Sequence, residues 1–322
     1  MIMNTKPTSA EIDLGNHNGM GDILVFPPMV LAAAVESLGA FFEPLSGVER
    51  NAAARDHLDP AKAVKHAEVL QRYTPLEGKK LLEIGSGFGV TLAVLSKRYK
   101  VDGYGVEPDG IGFSASFAAS RELFAANGLD AARIMAGVGE KLPFQDESFD
   151  IVYSCNVLEH TKDPERVLHE AIRVLRPGGV LHFEIPNHLS YFEGHYLVIQ
   201  PPIFWKPILP FWVRFIFGRD PSFARTLQTQ INPLWCSRVV RRIGRDYPVQ
   251  LMSLGHDLFL ERLTRPFHFE MHRVASRLGT MISLLQRLNL GNWIGRLIVL
   301  VQGYYPIYLT VRKKLATMNR IH

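Results

Sequence analysis

The run Leu81-Leu82-Glu83-Ile84-Gly85-Ser86-Gly87-Phe88-Gly89 constrains the fold of this chain more than any other stretch of it. Its apolar first half suits a short strand buried on both faces. Its three alternating glycines suit a turn in which backbone free of side chains can meet a ligand at the carboxyl edge of that strand. From Val90 the apolar residues recur at helical spacing. Strand, glycine-rich turn and helix in that order form the ligand-binding corner of a doubly wound α/β sheet, and Glu107, twenty residues after Gly87, stands where a carboxylate can accept from both hydroxyls of a ribose. A nicotinamide dinucleotide fits these features as well. The spacing argues partly against it, because Gly-x-Gly-x-Gly followed by Val90 lacks the small residue at the sixth position of the dinucleotide fingerprint.

The rest of the chain supports a parallel sheet. Strands are expected at Lys80 to Ile84, Val101 to Val106, Arg133 to Ala136, Ile151 to Cys155 and Val180 to Ile185, with helices at Val90 to Arg98, Gly110 to Ala126 and Pro164 to Leu175 between them. Arg176-Pro177-Gly178-Gly179 reads as the turn that ends the last of these helices. Before this core come an apolar helix at Pro28 to Leu45 and a second helix with Asp59 as cap and Pro60 in its first turn. After it come a helix at Pro233 to Gly244 and strands at Val249 to Ser253 and Tyr304 to Val311, the last ending in Arg312-Lys313-Lys314. The expected organisation is therefore an N-terminal helical cap (1–75), a cofactor-binding core (76–187), a proline and aromatic lid (188–231), a core helix and strand (232–254), a helical insertion (255–303), and a final core strand with a basic tail (304–322).

Composition narrows the function. With 322 residues, 47% of them hydrophobic, the chain can bury a sizeable core. Cys155 and Cys236 are its only cysteines and have no ligand or disulfide spacing, and the first residues do not read as a secretory signal, so a cytoplasmic setting is expected. The net charge of +5 owes much to positions 200–250, where eight lysines and arginines face only Asp220 and Asp246. Within that region Arg238, Arg241, Arg242 and Arg245 sit at helical spacing, which reads as a solvated face, and no nucleic-acid partner is expected.

Further motifs follow in order: Glu140-Lys141-Leu142-Pro143-Phe144, Ser148-Phe149-Asp150-Ile151-Val152, Asn156-Val157-Leu158-Glu159-His160 and Arg176-Pro177-Gly178-Gly179. With the glycine turn, this series resembles the class I S-adenosylmethionine-dependent methyltransferases, and among them the ubiquinone and menaquinone biosynthesis group, over about Leu81 to Asn187. The resemblance implies a Rossmann-like sheet of order 3-2-1-4-5-7-6 with the last strand antiparallel, carrying helical cap insertions. It implies S-adenosylmethionine as cofactor, with Gly85, Ser86, Gly87 and Gly89 at its methionine end and Glu83 near its amino group. Glu107 would hold the ribose, Pro108 and Asp109 would border the adenine, and Gly139 and Glu140 would close over it, with Asn156 also in the cofactor set. Val138 stands where the family commonly has an aspartate that contacts the adenine amino group.

Methyl transfer is an in-line displacement, and a hydroxyl acceptor asks for a general base near neutral pH. His160, after the fourth strand, and His195, in Tyr191-Phe192-Glu193-Gly194-His195-Tyr196, are the two candidates, each balanced by a reading as a structural or surface residue. Some methyltransferases hold a divalent cation with Glu-x-x-Glu-His at this strand end. Here the first glutamate is Asn156, so no metal is expected. The expected acceptor is a hydroxyl on a small molecule, a glycan or a lipid-linked intermediate; carbon methylation of a quinone-like ring and a non-catalytic cofactor-binding partner protein are the alternatives. The stretch Pro201 to Phe217 is too interrupted by proline and charge to span a bilayer. It suits either a lid over the core or peripheral contact at the inner face of a membrane.

Overall fold

The computed structural model describes residues 10–13, 23–110, 115–264, 284, 287 and 290–315. A seven-stranded sheet organises the fold. Its strands are β3 (Lys80–Ile84), β4 (Asp102–Glu107), β5 (Ile134–Ala136), β6 (Phe149–Cys155), β7 (Leu175–Ile185), β10 (Val249–Ser253) and β11 (Ile307–Lys313), in the order β10-β11-β7-β6-β3-β4-β5. With the seven numbered along the chain and read from the opposite edge, this is the expected order 3-2-1-4-5-7-6. β3 pairs in parallel with β4 and with β6, and β4 with β5. Leu81, Leu82, Ile84, Ile151 and Val152 are fully or almost fully buried, the continuous apolar run that a strand covered on both faces requires.

The chain separates into two compact units. The first comprises residues 1–154, 166–182 and 313–322. Its α1 (Pro28–Ser46) packs on α2 (Arg50–His57) and on α5 (Ala115–Ala126). Length and composition would let α1 cross a membrane, and a third of its most apolar stretch is buried here. The contact with α2 requires Gly39, because a Cβ there would lie 2.5 Å from the Arg50 side chain. α3 (Pro60–Gln71) starts as the sequence indicates, with Pro60 in its first turn and Asp59 accepting from the Ala61 amide (2.9 Å). α4 (Val90–Arg98) follows the glycine turn directly, and α6 (Pro164–Val174) leads into β7.

Two of the sequence motifs prove to be braces within this unit. Arg173 donates to Glu170 and Asp146 and to the carbonyls of Phe144 and Leu142, which pins the 142–146 loop. Asp150 accepts from the Lys80 amide (2.9 Å) and from Arg176 (3.3 Å), tying the start of β6 to that of β3.

The second unit comprises residues 155–165 and 183–312. It contains a short hairpin, β8 (Phe192–Glu193) with β9 (Val198–Ile199), then α7 (Ile208–Phe215), α8 (Ser222–Thr226), α9 (Pro233–Ile243), α10 (His256–Thr264) and a helix at Gly291–Leu300. Asn232 caps α9 by accepting from the Trp235 amide (2.9 Å). The Asn187 side-chain amide donates to the carbonyls of Gln302 (2.7 Å) and Tyr304 (2.6 Å), so residues 115 and 117 positions apart are joined. Arg242 pairs with Glu165 (2.7 Å) and, like Arg238, Arg241 and Arg245, stays exposed, as a solvated face would.

Several expectations are corrected. Arg176-Pro177-Gly178-Gly179 is not a separate turn. β7 runs through it, with Gly178 at φ +83° and Gly179 so close to Asp150 that a Cβ would stand 2.8 Å from its carbonyl oxygen. The last strand is Ile307–Lys313 rather than 304–311, and Lys313 belongs to it rather than to a basic tail: it is buried and donates to the carbonyls of Ile172 (3.2 Å) and Leu175 (2.7 Å). Helix α2, the strand pair β1 (Ala10–Asp13) and β2 (Ile23–Phe26), and hairpin β8–β9 carry too few periodic residues to stand out in the sequence. Positions 111–114 of the helix expected at Gly110 to Ala126, positions 265–283 of the helical insertion and the tail at 316–322 lie outside the described residues.

Candidate functional site

The first candidate site is the turn between β3 and α4. Gly85, Gly87 and Gly89 take φ of +71°, +52° and +77°, left-handed values that a side chain resists. At Gly87 a Cβ would meet no atom within 4 Å, so the space above the turn is open, while at Gly89 it would meet Ser120 at 3.1 Å. Glu107, at the end of β4, reaches back to the turn. One carboxylate oxygen accepts from the Gly87 amide (2.9 Å) and the other from the Ser116 hydroxyl (2.7 Å). Burial raises the Glu107 pKa, against the lowering effect of these two hydrogen bonds.

Glu83 and Ser86 complete the turn. Glu83 is 4% exposed, and its pKa is pushed well up, first by burial and then by the charge of Glu107; a hydrogen bond from the Leu92 amide opposes both. Its Oε2 and the Ser86 hydroxyl are buried and have no hydrogen-bond partner among the described residues. A buried carboxylate oxygen with no partner is costly. A ligand ammonium group would satisfy it, and each Glu107 oxygen keeps a lone pair for a ligand hydroxyl.

The other residues expected near the cofactor take varied positions. Pro108 is half-buried and Asp109 exposed. Gly139 is buried, and its lack of a side chain is used against Ile84 and Val167, which a Cβ would meet at 3.0 Å. Glu140 is half-buried with its carbonyl accepting from Arg166 (3.3 Å), and Val138 is exposed and bridges to Lys141. In the second unit Asn156 is exposed at φ +52°, its amide donating to the Glu184 carbonyl (2.9 Å).

The second candidate site lies in the second unit and brings together the two histidines that the sequence offered as alternatives. Their Nε2 atoms are 3.2 Å apart. His195 Nδ1 donates to Glu193 Oε1 (2.7 Å), and the other Glu193 oxygen accepts from the Tyr196 amide (2.6 Å). Glu159 lies behind both rings, its Oε1 3.7 Å from His160 Nε2 and 4.0 Å from His195 Nε2, and Phe223 covers the pair at ring distances of 5.8 and 5.2 Å. Glu159 and Glu193 are buried, while the His160 side chain keeps about a third of its surface.

The electrostatics divide the two rings. Burial works against a charge on His195, but Glu193, by charge and hydrogen bond, and Glu159 outweigh it and raise its pKa. Burial and the neighbouring charge of His195 hold His160 well below the usual imidazole range, against the pull of Glu193. Burial lifts Glu159 to about 7, against the charge of His195. Of the two rings, His195 is therefore the one favoured to carry a proton and His160 the one favoured to stay neutral. When His195 is neutral, its Nδ1–H faces Glu193 and its Nε2 can accept a hydrogen bond from His160 Nε2–H, the tautomer that leaves the His160 Nδ1 lone pair available as a base. Glu159, His160 and His195 are also a donor set that could take a divalent cation, since one ligand-type atom from each lies within 4.8 Å of the others.

Sequence reasoning missed Glu193 as the anchor of His195. The only signal was proximity, a carboxylate two residues before an imidazole, because His195 lies in the turn after β8 where strand alternation gives no guide. Phe223, 63 positions from His160, left no such signal.

Comparison with known proteins bears on the first site. Residues 82–183 match the methyltransferase domain family. An uncharacterized methyltransferase of Mycobacterium sp. (strain JLS) is 36% identical over 119 residues, 37% of this chain and 43% of that protein. A sarcosine/dimethylglycine N-methyltransferase of Aphanothece halophytica is 32% identical over 111 residues, 34% of this chain and 38% of that one. The matched stretch thus spans less than half the length of these curated relatives. Among solved structures, phosphoethanolamine N-methyltransferase 2 of Haemonchus contortus in complex with S-adenosyl-L-methionine aligns at a TM-score of 0.49 and 16% identity, covering 87% of this chain and 60% of that one.

Proposed function

We propose that this chain is an S-adenosylmethionine-dependent methyltransferase of class I, its core resembling the ubiquinone and menaquinone group, that methylates a hydroxyl on a small-molecule, glycan or lipid-linked acceptor. The observation that carries the cofactor is the unpartnered, buried Glu83 carboxylate oxygen beneath three left-handed glycines. The methyltransferase-domain match at residues 82–183 supports the same reading. Glu83 binds the cofactor's ammonium group, Glu107 its ribose hydroxyls, and the bare backbone of Gly85, Gly87 and Gly89 admits its methionine end. Bound S-adenosylmethionine supplies an electrophilic methyl group on a sulfonium.

The chain's own part in the chemistry is to move a proton. His160 Nδ1 takes the proton of the acceptor hydroxyl as the oxygen attacks, and His160 passes its Nε2 proton to His195. There Glu193 and Glu159 stabilise the positive charge. An amine acceptor, the kind named for the Aphanothece halophytica relative, would use the same relay, because an ammonium must lose its proton before it can attack.

The test is calorimetric titration with S-adenosylmethionine and, separately, with NAD, followed by turnover against hydroxyl, amine and quinone-type acceptors. Binding of S-adenosylmethionine that weakens at least tenfold in Glu83→Ala is expected. Binding of NAD alone, or of neither, would return the glycine turn to an unassigned nucleotide corner. Turnover confined to a quinone-type carbon acceptor would replace the hydroxyl reading.

A further inference from the structure

The segment Pro201 to Phe217 in the second unit is two-sided. Ile203, Leu209 and Val213 are fully or almost fully buried, so the segment is anchored and α7 is held in place. Its other side is equally apolar and faces outward: Phe204 is 82% exposed, Trp205 67%, Phe211 57%, Phe215 70% and Ile216 55%. The Phe211 and Phe215 rings, one helical turn apart, lie 4.7 Å from each other, so part of this surface is continuous. At about 200 Å² per ring, these four aromatics alone leave on the order of 500 Å² of apolar surface in water, within the range reached by the largest patch on a typical monomer and often functional.

We propose that this face docks on a lipid bilayer carrying anionic headgroups. The charge pattern selects that occupant. Lys206 and Arg214 are the only charged residues between positions 201 and 218, both are exposed, and no acid stands among them. Exposed Trp and Phe interleaved with cations match the interfacial region of a bilayer, where rings sit at headgroup depth and cations meet anionic lipid. Ile203, Leu209 and Val213 hold the segment by its buried side, so the outward rings are presented without a folding step, and contact requires neither a spanning helix nor a lipid anchor.

The experiment is flotation of the purified chain with vesicles of phosphatidylcholine alone and of phosphatidylcholine with about one third phosphatidylglycerol. Binding to the anionic vesicles is expected. A cation near such a surface is worth about fivefold in affinity, so the two together give a preference of roughly thirtyfold over neutral vesicles, falling as salt is raised. Lys206→Glu with Arg214→Glu should abolish that preference. Phe211→Ser with Phe215→Ser should weaken binding to anionic vesicles tenfold or more. All four side chains are exposed, so the thermal unfolding midpoints of both variants should match the parent. No flotation with either vesicle would overturn the proposal, as would flotation unchanged in both double variants, which would move the contact elsewhere, α1 included. Sedimentation showing a dimer that the phenylalanine variant dissociates would assign the face to a second copy of the chain.

Discussion

The glycine turn and the histidine cluster solve the problem of building a site in opposite ways. The turn is local: nine consecutive residues supply strand, bend and helix start, and the ligand surface is backbone flanked by two carboxylates, Glu83 of the same strand and Glu107 reaching in from the next. The cluster is assembled from side chains at positions 159, 160, 193, 195 and 223, none useful without the others. A backbone site tolerates neighbouring changes but not a side chain within it. A side-chain site can be dismantled one group at a time, each loss leaving a readable defect.

The comparison predicts its own tests. Gly87→Val should have the largest effect: its Cβ would enter the open space above the turn and its φ would be strained by about 1–2 kcal/mol, so S-adenosylmethionine affinity should fall by about a hundredfold or more while the chain still folds, as calorimetry and thermal unfolding would show. His195→Ala should lower kcat by about 10²–10⁴ with cofactor affinity unchanged. His160→Ala should do the same, and, if the rings act as the one relay proposed, the double variant should be little worse than either. Additive losses in that cycle would break the relay into two independent roles.

The next effect lies in the pH profile. The proposed relay requires a neutral His195, so kcat should rise with pH through a limb displaced above the ordinary histidine value. Glu193→Gln removes the charge that raises this pKa, so the limb should move to lower pH; a limb that stays in place would assign it to another group. At the turn, an ammonium group beside Glu83 favours the ionised carboxylate, and the raised pKa of Glu83 is thereby lowered on binding. Cofactor binding should release a proton and tighten as pH rises, which calorimetry in buffers of different ionisation enthalpy would measure. The smallest expected effect is that of a chelator. Turnover should be unchanged, and a loss restored by a divalent ion would turn the cluster from a relay into a cation site.

How much of this was legible follows from the same contrast. β3, α4 and β10 fall at the residues the apolar pattern indicates, because each is a short element bounded by glycine, proline or a polar break. The ends of β7 and β11 were less legible, since pairing with neighbouring strands, rather than propensity, carries them through Pro177-Gly178-Gly179 and out to Lys313. His160 and His195 each stood out by residue type, but 35 intervening positions concealed that they meet. The packing of Gly139 against Val167, 28 positions away, was hidden for the same reason.

Glu107 carries a consequence for how this corner can change over generations. The carboxylate that would grip a ribose also fastens the Gly87 amide and the Ser116 hydroxyl, so one side chain serves as both hand and hinge pin. Selection for weaker or altered sugar recognition cannot act there without loosening the loop itself. Changes in ligand preference that spare the loop are therefore expected at positions without that double duty, such as the exposed Asp109 and Val138.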